Sequence, residues 1–436
     1  MRDERRAFDS LLRRSPSTRI VWGLDRIRFL LDAVGSPQDA FRSILIGGTN
    51  GKGSVAAMSE AVLRGHGTRT GLYTSPHLVD PSERICLAGT PTGVEFLETC
   101  AQEVLPAAEE ADATFFESLT AVAFLAFARA EIEVAVVEVG LGGRLDATNV
   151  LRPDACVITG VALDHADWLG DTLSEIAVEK AGIIKRDTPL ITGALDSEVE
   201  LAVTARTREL AAPNIQFGRD FDVAGVRTGL DGTGFTYRVL GTGPESERCP
   251  RGLDGEPFFV PLPGEHQASN AALALSAVAA AGHEVRVRPA KRALQDLSWP
   301  GRFQVIQSGE STIVLDVAHN PAGVRSLARV LEHVSLPRPL VGLIGVLGDK
   351  PWREMLGSLM ERVDVAVLTV PVSAPASRSW DPEKARETID GGVAEVQPVF
   401  SDAMERALEL AGSGTVLVTG SNHTVGDALR HLQQRT

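Results

Sequence analysis

The residues Gly47-Gly48-Thr49-Asn50-Gly51-Lys52-Gly53-Ser54 lie between an apolar run, Ser43 to Ile46, and a helical pattern that begins at Val55. Glycines let a backbone turn tightly enough for its N–H groups to converge on phosphate oxygens. Lys52 supplies mobile positive charge, and Ser54 at the mouth of a helix can ligate Mg²⁺. A nucleoside triphosphate is the expected ligand, with Thr49, Asn50, Gly51, Lys52, Gly53 and Ser54 as its cradle. In the ordinary pattern Lys is followed directly by Ser or Thr, whereas here Gly53 separates Lys52 from Ser54. A turn that needs glycine only for packing is the alternative, and the Lys52 and Ser54 side chains weigh against it.

Other polar residues follow apolar runs in the same way. Glu138 closes Ala135-Val136-Val137-Glu138, Asp164-His165 follows Cys156 to Thr159, Asp316 to Pro321 ends the run Thr312 to Val317, and Gly345 to Lys350 ends another run. Ligands of open α/β sheets bind beyond the carboxyl ends of the strands, so these positions belong to one expected site. A carboxylate in an apolar strand is expensive to desolvate alone, so Glu138 implies either a hard cation such as Mg²⁺ or an ion pair with Arg144. His165 alone reads more often as a hydrogen-bonded surface or core histidine than as a ligand. Lys180 lies on a helix begun by Thr172 with Glu175 three residues later and ended by Gly182, and by composition it is an exposed helix lysine.

The elements that must position these groups alternate short apolar runs with longer helical patterns from Ser43 onward, which predicts a mainly parallel sheet with helices on both faces. Residues 1–42 are expected to be helical packing. Residues 217–261 turn Gly-rich and polar, which predicts a small antiparallel excursion. With 436 residues the chain exceeds one core, so the expected division is an ATP-binding domain over 1–292, a linker over 293–300, and a smaller C-terminal domain over 301–436. The acidic pair Glu109-Glu110 reads as solvated surface.

A net charge of −14 argues against a nucleic-acid partner. The four cysteines are far apart and form no CxxC pair, which argues against a disulfide framework or zinc site and fits a reducing cytoplasm. The charged start, Met1 to Arg6, is unlike a signal core. No run approaches membrane-spanning length, so neither export nor a membrane is expected.

Ordered motifs then carry a resemblance. Gly48-Thr-Asn-Gly-Lys-Gly-Ser54, Thr74-Ser-Pro-His-Leu78 with Glu83-Arg84-Ile85, Thr114-Phe-Phe-Glu117, and Glu138 through Asn149 come first. Asp164-His165, Glu179-Lys-Ala-Gly-Ile183, Trp299-Pro-Gly-Arg302 and Ala318-His-Asn-Pro321 follow. Over almost its whole length the chain resembles the folylpolyglutamate synthase and dihydrofolate synthase family, a branch of the Mur-ligase-like ATP-dependent amide ligases. Lys-Gly-Ser resembles the folate branch, since the peptidoglycan ligases generally carry Lys followed directly by Thr or Ser. The resemblance implies an α/β fold, with a P-loop-type mainly parallel sheet domain flanked by helices and a Rossmann-like C-terminal domain.

It also implies ligation of L-glutamate to dihydropteroate or to the γ-carboxylate of reduced folates through an acyl phosphate. Lys52, Glu138, His165, Lys180 and His319 take the catalytic positions. Two Mg²⁺ sites fall on Ser54, Ser75, Glu138, His165 and Lys180, the last commonly carbamylated in the family, and a monovalent cation is a further ligand the family admits. Asn270, Arg302, Asp316 and His319 match its nucleotide pocket. Phe115, Phe116, Glu117, Leu145, Asp146 and Ala147 match the surroundings of the pteroate. A monomer is expected. Three segments depart from the family: Leu45-Ile46-Gly47 where His-Val-Ala is usual, Asp80-Pro81-Ser82 in place of an aromatic, and Gly420 to Gly426 in place of a more apolar stretch. Alternatives are a Mur-type ligase acting on another carboxylic acid and an ATP-binding regulator without turnover. Retention of the whole metal set argues against the regulator.

Overall fold

Strand β1, Arg42–Gly47, is buried at every residue after Arg42. Ile44 and Ile46 enter one hydrophobic core and Leu45 another, so both faces of its sheet are covered. A strand buried on both faces reads as a continuous apolar run, which is how it looks in sequence. The computed structural model describes residues 6–14, 22–389 and 392–435. The charged start Met1 to Arg5 lies outside them. The helical expectation for 1–42 becomes two helices, Arg6–Arg13 and Asp25–Ala33, with a short 3₁₀ turn at Pro37–Asp39.

The first sheet continues with β2 Thr70–Tyr73, β3 Ile85–Leu87, β4 Thr90–Pro91, β5 Val134–Glu138, β6 Ala155–Ile158, β7 Leu190–Thr192 and β8 Asn214–Gln216. Their order is β4-β3-β2-β5-β1-β6-β7-β8. Every pairing from β2 to β8 is parallel, and only β3 and β4 run antiparallel at one edge. Register places Ile46 opposite Glu138 and Gly47 opposite Ile158, so the glycine loop, Glu138 and the segment after β6 leave the sheet at the same end. Strands β9 Phe221–Gly229, β10 Gly232–Val239 and β11 Pro257–Val260 form a separate antiparallel sheet around the turn at Leu230-Asp231.

The stretch expected to be linker opens inside a helix, Val287–Gln295, because Ala290 and Leu294 are buried in the first lobe's core. The second lobe holds β12 Gln304–Ser308, β13 Ser311–Leu315, β14 Leu340–Ile344, β15 Val365–Leu368, β16 Val393–Val396 and β17 Thr415–Thr419. Their order is β12-β13-β17-β14-β15-β16, parallel except for the β12–β13 hairpin. Two further cores cover this sheet's faces, with Val314 in one and its neighbours Ile313 and Leu315 in the other. The chain is thus α/β with a mainly parallel sheet in each lobe. Among the described residues no helix is long and apolar enough to cross a membrane.

Candidate active site

The loop after β1 passes directly into helix Lys52–Gly65, three residues earlier than the sequence pattern suggests, so Lys52 and Ser54 stand on its first turn. Gly48 and Gly51 have φ of +135° and +85°. A Cβ on Gly48 would fall 2.0 Å from Thr159 Oγ1, and one on Gly51 2.8 Å from Asn270 Oδ1, so only glycine permits this turn. The additional Gly53 has a packing role, since a Cβ there would lie 3.3 Å from the Trp299 ring and 3.6 Å from the Arg302 guanidinium. Its bare backbone admits Trp299 of the interlobe connection and Arg302 of the second lobe. Lys52 Nζ donates to Thr49 O at 3.1 Å and stands 3.9 Å from Glu138 Oε1.

Glu138 is 4% exposed and accepts the Ser75 N–H at 3.0 Å. Burial raises its pKa, against the opposing pull of Lys52 and that N–H. The alternative pairing with Arg144 is not formed, because Arg144 turns outward to bond Glu179 at 2.8 Å. Lys180 corrects the exposed reading: it is 4% exposed, and its Nζ donates 2.8 Å to Gly48 O beneath the loop. Burial, followed by the charge of Lys52, lowers its pKa to about 7. Thr172 and Glu175 form the capping box that begins its helix.

A cleft of about 940 Å³ runs between the lobes. It is lined by the loop from Thr49 to Ser54 with Ser75, Glu138, His165 and Asn270 on the first-lobe side, and by Arg302, Asp316, His319 and Lys350 on the second. Phe115, Phe116, Leu145 and Ala147 continue it into an apolar end. Of the sequence candidates only Lys180 lies off its wall. Glu117 and Asp146 reach the lining, but their carboxylates are already engaged. Glu117 accepts from Thr114 N at 2.8 Å and pairs with Arg26 at 2.9 Å. Asp146 accepts from Thr148 N at 3.0 Å and Leu141 N at 2.9 Å.

Asp316 accepts from Phe303 N and Ala318 N, both at 2.9 Å, and burial pushes its pKa up to about 6 despite Arg302. Burial, with Lys350 next, holds both His165 and His319 down to about 4, so both rings are neutral at pH 7. Sequence reasoning placed Asp164 and Lys350 at strand ends but missed that they pair with each other. Asn320 Nδ2 donates 2.9 Å to Asp164 Oδ2 and 2.9 Å to Asn50 Oδ1, while Asn50 Nδ2 donates 3.2 Å back to Asn320 Oδ1. Burial acts to raise the Asp164 pKa, yet the Lys350 charge outweighs it and holds the carboxyl well below the usual range. This network joins the phosphate-type loop to the second lobe. Arg84, Arg378 and His423 also line the cleft; Arg84 stands in the Glu83-Arg84-Ile85 motif and His423 in the departing Gly420 to Gly426 segment, whereas Arg378 carries no sequence signal.

Two domain patterns match the chain, the Mur ligase middle domain over residues 46–278 and the Mur ligase glutamate ligase domain over residues 301–422. The chain is 35% identical over 462 residues to the dihydrofolate synthase/folylpolyglutamate synthase of Mycobacterium tuberculosis, covering 95% of this chain and 91% of that protein. It is 36% identical over 418 residues to a probable bifunctional folylpolyglutamate synthase/dihydropteroate synthase of Haloferax volcanii. That match covers 93% of this chain and 48% of the relative, so the chain spans about half that protein's length. Among solved structures, Mycobacterium tuberculosis folylpolyglutamate synthase complexed with ADP aligns with a TM-score of 0.89 at 34% identity, over 100% of this chain and 99% of that one. Escherichia coli FolC in complex with DHPP and ADP aligns with a TM-score of 0.86 at 30% identity, over 99% and 98% of the two chains.

Proposed function

The chain belongs to the folylpolyglutamate synthase and dihydrofolate synthase family of ATP-dependent Mur-type ligases, and from that premise we propose that its cleft joins L-glutamate to dihydropteroate, to the γ-carboxylate of a folate tail, or to both. The observation that carries the reading is one continuous cleft. Lys52 and Glu138 from the first lobe meet Arg302, Asp316 and His319 from the second, and an aromatic pocket lies at one end.

A carboxylate is a poor electrophile, so the γ-phosphoryl group of ATP first converts it to an acyl phosphate. The amine of glutamate then attacks, and phosphate leaves from the tetrahedral intermediate. The loop N–H groups hold the phosphates, and Lys52 with Arg302 neutralises charge as it moves to the acceptor oxygen. Residues from both lobes surround that point, so closure excludes water and protects the acyl phosphate. The Phe115 and Phe116 rings with Leu145 and Ala147 bind the flat acceptor by shape, since Glu117 and Asp146 spend their carboxylates on backbone and Arg26.

The donor set fits Mg²⁺. Among the described residues no group of three His, Cys, Asp or Glu is placed to hold a metal ion, so hydroxyl and carbamate oxygens would complete a site around Glu138, whose nearest partners are the Ser75 N–H and Lys52 at 3.9 Å. Ser54, Ser75, Glu138 and His165 would hold two ions, together with Lys180 once CO₂ adds to it. Such ions would supply electrophilic neutralisation of the phosphate oxygens. A Lys180 pKa near 7 populates the free amine, which attacks CO₂ and releases a proton to give the carbamate. Intact-mass and ¹³C spectra of protein held in labelled bicarbonate should show one adduct that Lys180→Ala lacks, and an unmodified wild type would remove the carbamate. A monomer in the cytoplasm completes the proposal, and the four buried free cysteines suit a reducing compartment.

ADP release measured with glutamate and either dihydropteroate or tetrahydrofolate tests the function and sorts the acceptors. Turnover with neither acceptor would leave a Mur-type ligase of another acid as the reading.

A further inference from the structure

Arg84 is a cation of the cleft that phosphoryl transfer does not use. It is 8% exposed and lines the cleft beside Phe115, whose ring centroid lies 5.1 Å from the guanidinium. Its Nε donates to His77 Nδ1 at 2.9 Å, and burial followed by the charge of Arg84 itself lowers the His77 pKa to about 3, so this acceptor is neutral. Among the described residues Arg84 forms no ion pair with a carboxylate. The adjacent Glu83 gives its oxygens to the N–H groups of Leu78, Val79 and Asp80 at 2.8, 3.0 and 2.7 Å. Glu138 is bound to Ser75 N and stands nearest Lys52.

Three other cations of the cleft are matched, Lys350 by Asp164, Arg378 by Asp349 and Arg430 by Asp427, whereas Arg302, like Arg84, makes no ion pair among the described residues and is assigned above to the transferring charge. A guanidinium removed from water without an anion is unfavourable, and one that lines a substrate cleft is a vacant receptor for an oxyanion. Its planar fork takes a carboxylate through two parallel N–H bonds, and the His77 bond with the Phe115 face fixes the direction of that fork.

Resting on the ligase reading above, we propose that Arg84 binds the non-reacting α-carboxylate of a glutamate unit at the reaction centre. The reacting carboxylate belongs at Lys52 and Glu138. Lys52 stands 3.9 Å from Glu138, whereas the Arg84 guanidinium is anchored on His77 and the Phe115 ring, so Arg84 stands to one side of that centre. On that side its segment meets the second lobe, where Arg430 donates to Val79 O at 2.8 Å, and His423 lines the same cleft. An α-carboxylate is offered there by two sources, the incoming glutamate and the terminal glutamate of a folate acceptor. Dihydropteroate carries only the carboxylate that reacts, so it separates them.

The experiment compares wild type, Arg84→Lys and Arg84→Gln by ADP release, with L-glutamate varied at saturating dihydropteroate and each acceptor varied at saturating glutamate. Loss of a charged hydrogen-bond pair predicts a KM increase of about 10- to 100-fold in Arg84→Gln, with kcat changed far less and a smaller increase in Arg84→Lys. An increase in the glutamate KM with dihydropteroate assigns the incoming amino acid. An increase confined to the tetrahydrofolate KM assigns the acceptor tail. Unmoved KM values, or a fall in kcat alone, overturn the role of Arg84, provided that binding of a non-hydrolysable ATP analogue shows the variant folded. Should Arg84→Gln fail to fold, the same KM criteria applied to Arg84→Lys decide. A wild type that releases no ADP with any acceptor overturns the ligase reading and this inference together, whereas an active wild type with unmoved variants overturns this inference alone.

Discussion

Glu138 and Lys52 oppose each other across 3.9 Å in a setting that disfavours the carboxylate's charge, an arrangement that stability alone would not select. Lys52→Ala or Glu138→Ala is therefore expected to lower kcat by at least about 100-fold, the scale of a lost electrostatic contact to a transition state, while circular dichroism stays that of wild type. Full ATP-dependent turnover in either variant would sink the assignment. Asp316 gives a pH test of the other lobe. Its folded pKa of about 6 stands above the ordinary 3.8, first because of burial. The folded state thus binds this proton more tightly than the unfolded chain, so the contribution to stability is fully present below about pH 4 and is lost as pH rises through 6. The unfolding free energy of wild type relative to Asp316→Asn, from urea titrations, should fall over that window by no more than about 3 kcal/mol. A difference flat with pH would remove the buried-carboxylate account.

At the scale of elements, two short pieces of chain hold the chemistry: the glycine turn and the helix Leu173–Ala181. Gly51→Ala forces a β-carbon into φ +85° and against Asn270, so about 1–2 kcal/mol of stability and at least about tenfold in ATP affinity should be lost. Calorimetric titration with a non-hydrolysable analogue checks this, and unchanged affinity would mean that the turn is not the phosphate seat. Both pieces were legible in sequence because their signals are local. Thr172 and Glu175 are three residues apart, and the loop's glycines are read directly. The burial of Lys180 was not legible, because its partner Gly48 O lies 132 positions away. The Arg144 alternative for Glu138 failed for the same reason, since the carboxylate that Arg144 bonds is Glu179, 35 positions further along the chain. The parallel sheets were legible from their apolar runs, and the helix inside the expected linker was missed because only tertiary contact shows why Leu294 is buried.

In the whole molecule, loop and second lobe are tied by Asn50, Asn320, Asp164 and Lys350, and the ion pair has side-chain exposures of only 5% and 7%. Closing the cleft therefore buries a charge on each lobe, and either charge alone is costly in that place. Lys350→Met keeps volume but leaves Asp164 without its main counter-charge, which should destabilise the closed arrangement by about 3–5 kcal/mol. The lobes are joined through Trp299-Pro300-Gly301, so that energy is expected to appear as opening and not as unfolding of either sheet. Hydrogen exchange should quicken around Asp164 and Asn320, stay unchanged in β1 and β5, and be accompanied by a larger radius of gyration and a higher KM for ATP. Asp164→Asn combined with Lys350→Met removes the stranded charge, so the double variant should be less open than Lys350→Met alone. Strictly additive effects, or exchange that quickens equally throughout the first sheet, would mean that the pair stabilises the fold generally and does not govern closure.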